Sequence, residues 1–336
     1  MLMAKIIFNS IFCSCFLLFV FCSAQDSLRI RRGIELTILE DYDKALKLFQ
    51  QLEHDYPEHP GPSFYCATVW QSKMMDFETR QWEESFYHSI NHAIEKAQSR
   101  LEDDLHSRFY FGAAMSYKSF VLGRNGHYLK SMWIAARAID HLQQVVEVDS
   151  TFYAAYLGLG SYKYWRSYLT RHVRWLPFFS DKRKQGIKML ETVARHGYFS
   201  RWSAMSNLAW IYIKEEKYDK AIHWANKGLS HFPDSRFFLW PLGDAQFLAE
   251  DYTKAQSTYE QLLDSVTSES FNNHYNEIVL HLKLAQCSMN LGRIKAAREH
   301  CELVLQIESD VKLRDRLEAK KDKARQLLRE IFQRDE

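Results

Sequence analysis

The chain lacks the signatures of the common enzyme classes. It has no glycine-rich phosphate loop, no Cys-x-x-Cys pair, no HExxH helix and no Gly-x-Ser-x-Gly elbow. Nucleotide hydrolysis, thiol redox chemistry, zinc proteolysis and serine hydrolysis therefore have no support in the residues. Charge of one sign is also lacking: 44 Lys and Arg against 42 Asp and Glu leave a formal +2. Nucleic-acid binding rests on a much larger positive field. Beyond residue 24 only Cys66, Cys287 and Cys301 remain. An odd number of cysteines excludes a disulfide-stapled mini-domain.

Only one apolar run approaches the thickness of a bilayer, from Ile6 to Phe21 near the start MLMAKIIFNSIFCSCFLLFVFCSAQDS. Lys5 precedes it and the small residues Ser23 and Ala24 follow, which is the order of a secretory signal. The expected cut falls after Ala24 and leaves about 312 residues with a formal charge of +1. Such a chain would be periplasmic or extracellular. Cys22 follows the bulky Phe21, which does not suit a lipid-attachment site. A retained anchor is the alternative, because the run is nearly long enough to span. About 312 residues bury a large core without staples.

Self-similarity dominates the remainder. Residues 200–233, SRWSAMSNLAWIYIKEEKYDKAIHWANKGLSHFP, align without a gap on residues 234–267. Leu208 falls on Leu242, Ala209 on Gly243, Tyr218 on Tyr252 and Ala221 on Ala255, always 34 residues apart. Each unit holds two apolar-periodic stretches around a polar turn. Small residues stand where two antiparallel helices must approach closely. Gly33, Tyr42, Ala45, Phe49 and Pro57 repeat the same mutual spacings near the start. More degenerate copies surround Ala67, Gly112 with Ala135, Gly160, and Ala285 with Ala297.

This pattern resembles the tetratricopeptide repeat over roughly residues 29–309. The resemblance implies an all-α fold: an α-solenoid of about seven antiparallel helix pairs spanning 25–309. Leu313, Leu317, Leu327, Leu328 and Ile331 share one stripe of a charged segment at 310–336, expected to be a capping helix. Trp240-Pro241 interrupts the family pattern, so that helix is expected to start late, with Pro241 in its first turn.

In such a superhelix the first helix of each pair lines the concave wall. The residues expected to face inward are Phe64, Phe109, Leu157, Tyr164, Trp165, Trp210, Phe237, Trp240 and Phe247, with Ser161, Lys214, Asp244 and Gln286 between them. The family's carboxylate clamp of Asn with Lys or Arg is missing, since Trp210 and Phe247 occupy places where Asn is expected. A groove lined with aromatic side chains suits an apolar or aromatic polypeptide segment. The competing expectation is that these rings pack against neighbouring repeats.

Residues 161–186, SYKYWRSYLTRHVRWLPFFSDKRKQG, alternate aromatics and cations with a single acid, Asp181. Helical spacing carries the first helix of the fourth pair about three turns further, to a stop at Pro177. Ser180 or Asp181 would cap the next helix. The resulting elbow at 165–185 presents Arg166, Arg171, Arg174, Trp175, Phe178 and Phe179. It suits a membrane surface, a protein contact or plain packing on the adjacent repeat. Glu84, His88 and His92 share a helical face at steps of four; without a fourth ligand they read as an exposed polar face, and no metal or cofactor is expected. Cys287 and Cys301 lie on the two helices of one pair, either as free core thiols or as a bridge. A non-enzymatic scaffold with a protein or peptide partner is the function these features favour. The alternative is a membrane-peripheral assembly factor using 165–179.

Overall fold

A computed structural model describes residues 24–102, 104–173, 180–309 and 313–335. All of its regular structure is helical. The helices are α1 (Ala24–Ile38), α2 (Tyr42–Asp55), α3 (Pro60–Asp76), α4 (Glu83–Gln98), α5 (Leu105–Arg124), α6 (Tyr128–Val148), α7 (Tyr153–Leu169) and α8 (Arg183–His196). They continue as α9 (Arg201–Lys214), α10 (Tyr218–Leu229), α11 (Arg236–Leu248), α12 (Tyr252–Thr267), α13 (Tyr275–Asn290), α14 (Ile294–Gln306) and α15 (Arg314–Asp335). Each packs on its chain neighbours, and most odd-numbered helices also touch the next odd one. Seven antiparallel pairs thus form a solenoid, and α15 closes it by packing on α13 and α14. Leu313, Leu317, Leu327 and Ile331 are buried beneath the cap.

Close approach within a pair depends on small residues. Between α7 and α8 the backbones nearly meet. A Cβ on Gly186 would lie 2.6 Å from the Gly160 carbonyl oxygen and 2.8 Å from the Tyr164 nitrogen. Backbone atoms cannot move aside, so a side chain there would force the pair apart. Ala209, Ala221, Ala225, Ala255 and Ala285 serve the same purpose elsewhere and have no exposed surface.

The turn inside a pair also recurs. Glu40, Glu78, Glu216 and Glu250 have φ between 50° and 63°, and Gly126 and Gly292 take the equivalent place at 86° and 71°. Six of the seven pairs therefore turn through one left-handed residue. In the fourth pair the elbow replaces this turn. There α7 ends at Leu169, one short 3-10 turn follows over Arg171–Val173, and α8 begins at Arg183. The three-turn extension to Pro177 is therefore not present. The helix stops where the Thr170 hydroxyl donates back to the Arg166 carbonyl and Ser167 Oγ receives the returning chain from Lys182 N at 3.0 Å. Asp181 does accept from Arg183 N at 3.1 Å, but the capping position itself is Lys182.

Pro241 required a second correction. Helix α11 starts at Arg236, so the proline lies inside the helix rather than in its first turn. Proline donates no hydrogen bond, which frees the carbonyl four residues earlier. That carbonyl belongs to Phe237, and Ser206 Oγ on α9 donates to it at 3.3 Å. The neighbouring repeat thereby satisfies the group the helix leaves open.

The solenoid curls until its beginning meets its end. Ser235 Oγ donates to the Ile38 carbonyl at 2.6 Å, and Asn273 Nδ2 to the Phe77 carbonyl at 2.6 Å. Asn276 also reaches the Asp76 carbonyl. Arg316 of the cap pairs with Glu78, while Phe271 packs edge-on against Phe77 and Trp82, with ring centroids 5.1 Å apart in each case. The turns of the first two pairs thus dock on the leading ends of the sixth and seventh, an offset of five pairs. Arg236 sits at the centre of this seam. It is buried and paired with Asp76 at 2.7 Å and with Glu269 at 2.7 Å. Glu40 is half-buried beside it and accepts from Phe237 N at 3.2 Å. Burial, with the Asp76 charge close by, pushes the Glu40 carboxyl up to about 8 against the pull of Arg236.

Candidate functional site: the inner wall of the middle repeats

Helices α7, α9 and α11 are the first helices of three consecutive pairs, and α7 touches α9 and α9 touches α11. Each carries one half-buried indole: Trp165, Trp210 and Trp240. They stand at different places in the repeat: Trp165 and Trp210 pack on one apolar cluster and Trp240 on the next. Asn207 fixes the first step of the row. Its Oδ1 accepts from Trp165 Nε1 at 3.4 Å, and its Nδ2 donates to Ser161 Oγ at 2.7 Å. Phe237 is exposed, Phe247 half-buried and Lys214 exposed on the same helices. Leu157 and Gln286 are also half-buried.

Other expected wall residues are placed differently. Tyr164 is wholly buried and donates to Glu215 Oε1 at 3.0 Å, so it belongs to the core. Phe64 is also buried, enclosed by Tyr65, Tyr110 and Tyr117. Phe109 leans on Phe152 with ring centroids 4.9 Å apart. Asp244 is engaged inside the fold, where it accepts from Tyr259 Oη at 2.8 Å and Lys283 Nζ at 2.7 Å. In each case a neighbouring repeat fills the space that the helical pattern alone leaves open. Of the elbow residues, Arg166 and Arg171 are exposed and Arg171 stacks over Tyr168 at 4.5 Å. Arg174, Trp175, Phe178 and Phe179 lie outside the described residues.

The tetratricopeptide-repeat family model matches residues 203–234 and 279–311, which are the fifth and seventh helix pairs. At these two pairs the chain carries tetratricopeptide repeats. No curated protein matches it. Similar solved structures include a thermophilic tetratricopeptide-repeat protein of Thermus thermophilus, 16% identical, covering 67% of this chain and all of that one at a TM-score of 0.42. YrrB, described as having an unusual peptide-binding site, is 16% identical over 68% of this chain and 98% of its own, with a TM-score of 0.44. The C-terminal part of a repeat-containing protein from Cytophaga hutchinsonii is 16% identical over 85% of this chain and 98% of its own, also at 0.44.

The chain places its reactive groups in the core. Cys66, Cys287 and Cys301 are free and buried, and burial pushes their thiols up to about 12, 12 and 11. They are inert packing groups under ordinary conditions. Cys287 and Cys301 belong to different apolar clusters, so the bridge is not formed. Among the described residues no group of three His, Cys, Asp or Glu side chains is placed to hold a metal. His92 instead stands 3.3 Å from Glu53. No helix among the described residues is long and apolar enough to cross a membrane. The tetratricopeptide fold is that of a protein–protein interaction scaffold.

The seam network of Glu40, Tyr42, Asp76, Arg236 and Glu269 was not visible in the sequence. Arg236 and Asp76 stand 160 residues apart, and no repeat spacing relates them. The one local signal is an arginine opening the apolar run RFFLWPLG.

Proposed function

We propose that the protein is an exported scaffold that holds an extended, apolar or aromatic polypeptide segment against the inner wall of its fourth to sixth repeats. The carrying observation is the row of half-buried indoles Trp165, Trp210 and Trp240 on adjacent first helices, with the exposed Phe237 continuing it. First helices about 10 Å apart give a row of roughly 20 Å, the length of about six extended residues. Rings stacked against such a segment contribute through burial at about 25 cal/mol per Å². Lys214 adds the isolated cation that orients a chain bearing an acid. Export rests on the order of charged, apolar and small residues before Gln25. A cut after Ala24 would spare the first tertiary anchor of α1, Asp26, which accepts from Tyr56 Oη at 2.6 Å.

A displayed random-peptide library selected on the protein tests this reading. The selected peptides are expected to be rich in aromatic and large apolar residues. They should bind a Trp165→Ala/Trp210→Ala/Trp240→Ala chain at least about tenfold more weakly, the equivalent of 1.4 kcal/mol. Thermal melting monitors the fold, and a chain with the single exposed substitution Phe237→Ala separates lost contact from lost packing. Selection of highly charged peptides, or equal binding by the triple variant, would overturn the reading.

A further inference from the structure

Helix α6 is the second helix of its pair and carries none of the wall residues, yet apolar side chains crowd the exposed surface of its first turns. Leu129 is 85% exposed, Tyr128 69%, Met132 62% and Trp133 61%. These four side chains fall within about one and a half turns, so they form a compact patch. Phe120 is exposed on the partner helix α5, next to the Ser119 that bonds to Ser131. Exposed apolar residues are ordinary singly, but a cluster of this kind marks a contact surface.

Cations outnumber acids around the patch: Arg124 is paired with Glu78, and the first acid of α6 is Asp140, about one turn beyond Arg137. From Leu105 to Ile139 the chain has Arg108, Lys118, Arg124, Lys130 and Arg137 and no acid at all. Lys130 and Arg137 are exposed, and among the described residues neither has a carboxylate within ion-pair distance. Arg137 lies over the Trp133 ring at 4.9 Å, which places a cation beside the apolar cluster. Burial and the neighbouring Lys130 hold the Lys118 ammonium below its ordinary range, a sign that like charges crowd this end of the pair. The next first helix ends nearby with Leu169 71% exposed. From Ser150 to Ser180 the sequence again has cations and no acid.

We infer that the α5–α6 face, centred on Leu129, Met132 and Trp133 and flanked by Lys130 and Arg137, docks on an anionic lipid surface. Leucine and methionine enter the boundary of the acyl region, tyrosine and tryptophan lie at headgroup depth, and the cations meet the lipid phosphates. The charge pattern disfavours a second copy of the chain. Packing this patch on itself would bring Lys130 and Arg137 toward their own counterparts, with no acid on α6 before Asp140 to offset them. The inference is independent of the proposed peptide row, whose residues lie on other helices.

Vesicle co-sedimentation decides the matter. The chain from Ala24 onward retains every helix and every tertiary contact described, and it excludes the apolar run before it. It is mixed at low salt with phosphatidylcholine vesicles containing about 30 mol % phosphatidylglycerol, or with phosphatidylcholine alone. The wild type is expected to sediment with the anionic vesicles, to bind the neutral ones weakly, and to be released by high salt. Leu129→Ser/Trp133→Ser and, separately, Lys130→Glu/Arg137→Glu should each reduce binding at least about fivefold with unchanged melting. Wild type that stays in solution with anionic vesicles would overturn the inference. So would undiminished binding by both variants, or a dimer in sedimentation analysis that the same substitutions abolish.

Discussion

Glu40 shows how one residue answers to several parts of the fold. In the repeat it is the left-handed turn residue between α1 and α2, a place Glu216 and Glu250 fill with their side chains in solvent. In the wound molecule its carboxyl enters the seam and accepts from Ser235 and Phe237 at the start of α11. Its folded-state value near 8 lies above the ordinary 4.5 of the unfolded chain. A raised acid makes the folded state the better proton binder, so this stabilisation is complete below about 4.5 and is lost as pH rises through about 8. Glu40→Gln, which keeps the shape and removes the charge, should therefore raise the melting temperature at pH 8 and change little near pH 4.5. Half-burial limits the gain to on the order of 1–2 kcal/mol. Melting curves from pH 5 to 9 that run parallel for the two proteins would show that Glu40 is not enclosed as described.

At the scale of the element, the helix pairs were legible because their determinants are local. Ala209 against Ala221, or Gly243 against Ala255, is a spacing plain in the sequence, and the close approach it permits is short-range sterics. The left-handed turns were less plain, since glutamate rather than glycine occupies four of them. Pro241 was misjudged for a clear reason. The proline itself is visible, but the hydroxyl that accommodates it stands on another helix. Removing that hydroxyl gives a direct test. Ser206→Ala should cost about 1 kcal/mol by leaving the part-buried Phe237 carbonyl without its donor. In a Pro241→Ala background residue 241 regains its N–H, so the same substitution should cost much less. A double-mutant cycle in urea measures the difference, and an unchanged cost would mean that the serine acts only through packing. The elbow failed as an extrapolation of helical spacing. Periodicity at Leu169 and Val173 continues past the point where Thr170 and Ser167 turn the backbone aside.

Across the whole molecule the controlling feature is the seam, and it was illegible in advance. Winding depends on small angular offsets between pairs, which no residue spacing encodes, and the contacts that set it span up to 238 residues. Burial of Phe64 and Tyr164 is likewise visible only once neighbouring repeats are in place. Arg236 sits where this closure is most sensitive. Burial opposes its charge, but Asp76 and Glu40 hold the guanidinium protonated. Arg236→Met would leave Asp76 buried without its partner and is expected to cost about 3–5 kcal/mol. It should also open the seam, seen as a larger radius of gyration in small-angle scattering below the melting transition. An unchanged radius with the same loss of stability would confine the role of Arg236 to its own repeat.

The proposed function rests on the half-buried indoles of α7, α9 and α11 lying on the inner wall of the superhelix. The most direct measurement is photo-crosslinking of a library-selected peptide carrying benzophenone, with the attachment sites located by mass spectrometry. Crosslinks are expected on the inner faces of α7, α9 and α11, around Trp165, Trp210 and Trp240. Crosslinks confined to the second helices of the pairs, or to the seam, would contradict it.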